Sequence, residues 1–245
     1  MYQKVKADWR ERVIPLSRGI TTKDRTGYYL SKRVLDLVLT ISALLILAPV
    51  TIIIALLIRL DSTGPVIFCQ TRVGVKRRSH KGQTVWKPIE FTCYKFRTMI
   101  HNSDPSVHKA FVKDFVEGCV ENSDNGVRLY KLHDDSRITR VGRGLRKMSL
   151  DELPQLINIL LGEMSLVGPR PDVPYSVKHY QTWHHERLTA SPGLTGLWQV
   201  KGRCTVTFDE MVEMDIEYIR NQSLLLDLKI MFLTIPTVLS RHGAV

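Results

Sequence analysis

The sequence predicts an α/β protein, mostly helical with a small sheet, that sits on one face of a membrane. Three observations predict this. One long apolar stretch, "KRVLDLVLTISALLILAPVTIIIALLIRL" (residues 32–60), lies near the start with a proline in its middle. Basic residues flank that stretch on both sides. The rest of the chain carries several short amphipathic segments and only two strand-like ones. The expected organisation is a polar extension over 1–30, a re-entrant membrane helix over 31–60, and a cytoplasmic domain with interfacial helices over 61–245.

From Leu37 to Ile58 no residue is charged. A helix of that length reaches roughly 33 Å at 1.5 Å per residue, enough for a hydrocarbon core. Length alone therefore allows a single crossing. The flanks argue otherwise. Lys23, Arg25, Lys32 and Arg33 precede the stretch; Arg59, Arg72, Lys76, Arg77, Arg78 and Lys81 follow it. Basic flanks favour the cytoplasmic side, and a crossing helix would leave one of them outside. A helix–break–helix that dips in and returns keeps both inside. Pro49 removes a backbone hydrogen bond, so the hinge is expected at Ala48-Pro49, with freed carbonyls partnered within the hairpin. Asp36 is expected to pair with Lys32 or Arg33 near the headgroups.

After Leu60, "DSTGPVIFCQTRVG" reads as a turn and a strand, "KRRSHKGQ" (76–83) as an exposed basic loop, and "FTCYKFRTMI" (91–100) as a second strand. A helix follows in "SDPSVHKAFVKDFVEG", with Asp104 as cap, Pro105 at its first position and Gly118 as stop. Phe111, Val112, Phe115 and Val116 share one face. Residues 122–147 read as loop. Further helices are expected over 150–161, 175–188 and 208–221. The closing "SLLLDLKIMFLTIPTVLSRHGAV" has an uncharged run, 230–240, too short to span a bilayer. It reads as core or as a helix in the membrane interface.

Lys and Arg number 35 against 24 Asp and Glu, a net charge of +11. That excess implies an acidic partner: nucleic acid, anionic lipid headgroups or a phosphorylated small molecule. Cys69, Cys93, Cys119 and Cys204 form no CxxC pair, so neither a zinc site nor a disulfide framework is indicated. They read as reduced thiols. The eight histidines show no metal-ligand spacing, and His184-His185 reads as solvent-facing.

The chemistry centres on "RKMSLDELPQLINILLGEMSLVGPRP" (146–171), where Asp151 and Glu152 are adjacent. Ser149 and Glu152 fit a capping box, so both acids could simply serve a helix start. Their neighbours suggest more. Leu150, Leu153, Ile157, Leu160 and Met164 would form an apolar stripe, and Asp151, Gln155 and Asn158 a polar one facing away from the core. Arg140, Arg143, Arg146 and Lys147 precede the pair and Arg170 follows in a rigid "VGPRP" turn; Lys95 and Arg97 come from "YKFRTM". A carboxylate pair among cations at a helix end suits a phosphate and a divalent metal. Carboxylates do attack phosphorus in aspartyl-phosphate chemistry.

Taken in order, the Lys32-Arg33…Asp36 opening, "GPVIFCQTRVG", "YKFRTM", the 146–171 stretch, "PGLTGLWQVKGR" and "MDIEYIRNQSLLLDLKIMFLT" resemble the bacterial sugar transferase family, the monotopic phosphoglycosyl transferases. The resemblance covers residues 32–244. It implies a membrane enzyme with a re-entrant helical hairpin at the cytoplasmic face of the bacterial inner membrane. It implies transfer of a hexose 1-phosphate from a UDP-sugar to undecaprenyl phosphate, with release of UMP, as the first membrane step of an exopolysaccharide, capsule or O-antigen. Asp151 matches the family nucleophile, giving a covalent sugar-phosphoryl aspartate. Glu152, with Asp151, would hold Mg²⁺. Lys95, Arg146 and Arg170 match phosphate-binding positions, Gln199 and Arg203 a nucleotide loop, and Asp227 and Asp215 active-site acids. Phospholipids are implied partners, nucleic acid is not, and a homo-oligomer is compatible. Two departures stand out: Ala48 replaces the usual serine before the hinge proline, and Leu197-Trp198-Gln199 replaces Trp-Ala-Gln. The segment 102–130 is longer than in the smallest members.

Two other readings fit the sequence less well. A membrane-tethered binder of nucleic acid or anionic lipid would use the basic loop at 76–81, but no recognition-helix, RRM or zinc-finger signature accompanies it. A non-catalytic scaffold for polysaccharide assembly would be expected to have lost the Asp151–Glu152 pair.

Overall fold

The computed structural model describes residues 25–80, 83–104, 106–118, 135–202 and 206–240. One long helix, α1 (Thr26–Asp61), precedes a hairpin of β1 (Ile67–His80) and β2 (Gln83–Phe96). There follow α2 (Ser106–Val116), α3 (Arg140–Lys147), α4 (Gln155–Leu161), β3 (Ser165–Val167), α5 (Pro174–Val177), β4 (Gly193–Thr195), α6 (Leu197–Lys201), α7 (Phe208–Arg220) and α8 (Leu224–Leu239). The sheets are small: β1 and β2 pair antiparallel, and β3 and β4 pair parallel. The protein is thus mostly helical with two small sheets. The basic stretch read as a loop continues as strand to His80, and the "loop" before Lys147 ends in α3, capped by Thr139 Oγ1 accepting from Gly142 N at 3.0 Å. The helix expected over 175–188 divides into α5 and a 3₁₀ segment over Thr182–Thr189. The polar extension lies largely outside the described residues, and α1 already begins at Thr26.

α1 is long and apolar enough to reach across a membrane, and only 11% of its most apolar window is buried within the protein. That low burial is unlike the core helix of a soluble domain and is consistent with association with a membrane. The expected break at Ala48-Pro49 does not appear as an interruption, because Pro49 lies inside a continuous helix. Next to the proline, the Thr51 hydroxyl donates to the Ala48 carbonyl at 2.7 Å. Both flanks of α1 pack on the same globular body. Toward its start Lys32, Asp36 and Thr40 are buried, and toward its end Ile54 and Ile58, the latter two against Phe96 and Leu145.

The start of α1 is locked by polar contacts. Lys32 Nζ donates to Asp227 Oδ2 at 2.9 Å, Tyr28 Oη to the same oxygen at 2.9 Å, and Tyr218 Oη to Asp227 Oδ1 at 2.6 Å. Arg33 caps the end of α4 through the Ile159 and Leu160 carbonyls. Asp36 accepts from the Leu166 amide at 3.0 Å, so its bonded partner is the backbone of β3 rather than a headgroup-side cation. At the other end Arg97 donates to the carbonyls of Ile58, Ser62 and Thr63. It is a structural clamp on the close of α1.

Gly64 has φ +117°, and a Cβ there would come 2.2 Å from the Arg97 guanidinium. Gly64→Ala is therefore expected to cost about 1–3 kcal/mol, from backbone strain and a displaced clamp. Thermal unfolding in detergent checks this; an unchanged melting temperature would contradict it.

α8 buries Ile230 completely but exposes Leu225, Phe232 and Ile235 by more than half. It is core on one face and open apolar surface on the other. His184, expected at the surface, is fully buried; its Nδ1 accepts from Gln181 N and its Nε2 contacts Asp209.

Candidate active site

The stretch carrying Asp151 and Glu152 folds differently from a capped helix. Ser149 is left-handed, with φ 54°, and its side chain caps nothing. Leu150–Glu152 forms one 3₁₀ turn, and Pro154 then starts the short α4. Proline at the helix start has no N–H to offer and a preset φ. The capping-box reading fails because the Glu152 carboxylate is engaged elsewhere.

α4 departs from its expected apolar stripe at Ile157, although Leu150, Leu153 and Met164 of that stripe pack in the core. Leu156 and Ile159 are buried, but so are Gln155 and Asn158, whereas Ile157 and Leu161 are exposed. Asn158 explains this. Its Oδ1 accepts from Tyr94 N at 3.1 Å, and its Nδ2 donates to Thr92 O at 2.6 Å and to Glu163 at 2.7 Å. A fully satisfied amide against the β2 backbone is worth burying. The face it displaces joins the exposed apolar surface.

The two acids open into a cleft of about 870 Å³, lined also by Lys95, Arg146 and Arg170. Glu152 Oε1 accepts from Lys95 Nζ at 2.7 Å and from Arg170 Nη2 at 2.5 Å; Oε2 is 3.3 Å from Arg170 Nη1. Burial alone would raise its pKa, but Arg170 and Lys95 hold it well below the usual carboxylate range. Asp151 is the reverse. Burial pushes its pKa up and the Glu152 charge adds to that, against Lys95 and Arg146. Among the described residues Asp151 makes no side-chain hydrogen bond, so its oxygens are available to a ligand. Adjacent carboxylates thus differ in role: one is held, one is open.

Arg146 Nε donates to Thr98 Oγ1 at 2.9 Å, and Arg72 donates to the Pro171 carbonyl and to Gln70 Oε1. Neither pairs with a carboxylate among the described residues. Their positive charge remains for an anion in the cleft. Arg72 was not foreseen as a site residue, although it stands in the quoted "GPVIFCQTRVG"; its period-2 relation to Gln70 on β1 was the available signal. Arg137, held by Asp135 at 2.6 Å, and a wall from α2 with His108, Phe111 and Phe115 were also missed. The cap and stop of α2 were legible: Asp104 Oδ1 accepts from Ser106 N at 2.9 Å, and Gly118 takes φ 72°.

Gln199 lines the cleft, and its Nε2 donates to Leu194 O at 3.2 Å. Arg203 lies outside the described residues. Arg140, Arg143 and Lys147 do not line the cleft. Nor do Asp215 and Asp227. Asp227 joins α8 to Lys32 and Tyr218, where a buried carboxylate is neutralised by the ammonium. Asp215 is fully buried and pairs with Arg187 Nη2 at 2.7 Å.

Burial pushes the Asp215 pKa up to about 6, against the pull of Arg187. The folded protein therefore holds a proton on Asp215 that the unfolded chain has released above pH about 4. Raising the pH from about 4 to about 6 costs stability at this group. Relative to Asp215→Asn, the wild type is expected to lose melting temperature across that window, and parallel curves would refute the assignment.

Among the described residues no cluster of three or more metal-binding side chains occurs. Mg²⁺ needs fewer, because it takes one or two carboxylates and completes its shell with water and substrate phosphate. The open oxygens of Asp151 and the lightly held Oε2 of Glu152 fit that demand.

A long apolar helix left mostly open by the fold, and a cationic cleft with a split carboxylate pair, suit a phosphorylated substrate handled near a membrane. The comparisons agree. Residues 27–241 match the model of the bacterial sugar transferase family, and the chain belongs to that family. It is 40% identical over 215 residues to the exopolysaccharide production protein ExoY of Sinorhizobium fredii, with 88% of each chain covered. It is 41% identical to the undecaprenyl-phosphate galactose phosphotransferase of Salmonella typhimurium and 40% identical to the undecaprenyl-phosphate glucose phosphotransferase of Komagataeibacter xylinus. Those matches cover 87% and 88% of this chain but only 41% and 37% of the relatives.

Proposed function

We propose that this protein transfers a hexose 1-phosphate from a UDP-sugar to undecaprenyl phosphate, releasing UMP, as the initiating step of a surface glycan. The observation that carries the reading is the split pair: Glu152 clamped by Lys95 and Arg170, and Asp151 open toward the cleft beside Arg146. An Asp151 oxygen attacks the phosphorus that bears the sugar. The bond from that phosphorus to the bridging oxygen breaks, and UMP leaves with the oxygen. The sugar phosphate is then an acyl phosphate on Asp151. An oxygen of undecaprenyl phosphate attacks the same phosphorus, restoring the carboxylate and forming the diphosphate sugar.

Each step adds an anion to an anion. Arg146 and Arg72 offset that charge, and Lys95 and Arg170 keep Glu152 ionised and aimed. Mg²⁺, held by Asp151 and Glu152, would neutralise the diphosphate of the donor.

The acceptor is a lipid, so the cleft must open at the membrane. The stretch of α1 between Thr40 and Ile54 reaches only about 20 Å, short of the ~30 Å hydrocarbon core. With both flanks on one body, this favours a helix that enters and leaves by the cytoplasmic face of the inner membrane. It would bend at Pro49 rather than break there. The open faces of α8 and α4 would lie in the interface.

The names of the relatives span galactose, glucose and, at 36% identity, N-acetylgalactosamine. Overall similarity therefore does not choose the sugar. UMP release should be assayed with a panel of UDP-sugars, undecaprenyl phosphate and Mg²⁺ in detergent. Release with one sugar, abolished by EDTA, is expected. A full panel without release would overturn the reading.

A further inference from the structure

The loop that carries Arg170 is tied down at four successive carbonyls. Pro169 O accepts from Gly193 N at 2.8 Å, Arg170 O from Arg187 Nη2 at 3.3 Å, Pro171 O from Arg72 Nη1 at 2.9 Å, and Asp172 O from Val73 N at 2.7 Å. Two of the four donors are backbone amides, fixed by the fold itself. Gly193 can come this close because it has no Cβ; one would lie 2.1 Å from Gly168 N. The other two donors are arginines. Arg72 reaches in from the cleft wall, whereas Arg187 approaches from behind, in the core.

Arg187 is 2% exposed. Its guanidinium also donates to Asp172 Oδ2 at 3.0 Å and to Tyr180 Oη at 2.9 Å, and it pairs with Asp215 Oδ2 at 2.7 Å. Tyr180 Oη in turn donates to Asp172 Oδ2 at 2.6 Å. A planar guanidinium suits this work, because its donors hold a fixed fork that an ammonium cannot copy. The cluster is costly to bury unless fully paired, and it joins α7, through Asp215, to the loop ending at Asp172.

We infer that Arg187 is the positioning residue of the site: it fixes the backbone at Arg170, so that the Arg170 guanidinium meets Glu152 in the geometry the reaction needs. Arg187 does not line the cleft. Its effect runs from Asp215 through Arg187 to the Arg170 carbonyl and on to Glu152. A small displacement of a charge-bearing group costs rate steeply even where binding persists. This rests on the proposed function for its kinetic arm only.

The test uses the full chain in detergent. Wild type, Arg187→Lys, Arg170→Ala and the double variant are assayed with UDP-galactose and UDP-glucose, undecaprenyl phosphate and Mg²⁺. Arg187→Lys is expected to lower kcat about tenfold or more while the donor KM changes by less than about threefold. In the Arg170→Ala background it should cost nothing further, because its target is gone. The same loss in both backgrounds would overturn the proposal and leave Arg187 a packing residue. Amide exchange over residues 166–173 gives an independent reading: faster exchange in Arg187→Lys is expected, and unchanged exchange overturns the proposal. If wild type makes no product, the transferase reading fails and the exchange result alone decides this one.

Discussion

Asp151→Asn is expected to reduce turnover by on the order of 10⁴-fold or more, the scale seen when a covalent nucleophile is removed. Asparagine matches the shape of aspartate but has no anionic oxygen to attack phosphorus. Stability should not fall, because Asp151 has no side-chain partner to lose among the described residues and burial already disfavours its charge. That contrast separates the chemical role from a helix-start role, which would appear as lost stability with activity retained. UMP release and thermal unfolding on the same preparations decide between them. A variant that retains most of its rate would remove Asp151 as nucleophile.

Asp227→Ala is expected to be the most destabilising single change. Its carboxylate is 1% exposed and accepts from Lys32, Tyr28 and Tyr218. Removing it leaves a buried ammonium without a counter-charge, which costs about 3–5 kcal/mol. Lys32 lies on α1 and Asp227 on α8, so the loss falls on the joint between the membrane helix and the globular body. The double variant Lys32→Met, Asp227→Leu should recover much of the loss, since neither charge is then stranded. Thermal unfolding in detergent measures both. Equal loss in the single and double variants would mean that the pair itself is not what holds the joint.

Much of the site was legible in the sequence because its parts lie on short ordered motifs. Asp151 and Glu152 are adjacent in the chain, and Lys95, Arg146 and Arg170 sit in quoted stretches; all five line one cleft. What the sequence could not give was the division of labour. Which acid is held depends on where Lys95 and Arg170 arrive, and both come from elements distant in the chain. The same limit hid the orientation of α4. Periodicity pointed Ile157 inward and Asn158 outward, but the β2 backbone offers Asn158 two hydrogen bonds and the Glu163 carboxylate a third, which draws Asn158 inward. Asp215 and Asp227 show a related failure. A motif places an acid in order along the chain, yet burial beside Arg187 or Lys32 makes it a structural partner outside the cleft. The membrane helix was clear in extent but not in shape. Pro49 signals a weak point, but the helix runs on through it, and both of its flanks pack on the globular body.

The most direct test of a covalent intermediate on Asp151 is to incubate the protein with the UDP-sugar panel and Mg²⁺ in the absence of any lipid acceptor, then measure UMP and the mass of the protein together. Covalent transfer through Asp151 predicts UMP in an amount limited by the enzyme present, with a sugar-phosphate adduct on the peptide bearing Asp151 that disappears when undecaprenyl phosphate is added. UMP formed only when donor and acceptor are both present, with no adduct on the protein, would contradict it and point to direct transfer between the two substrates.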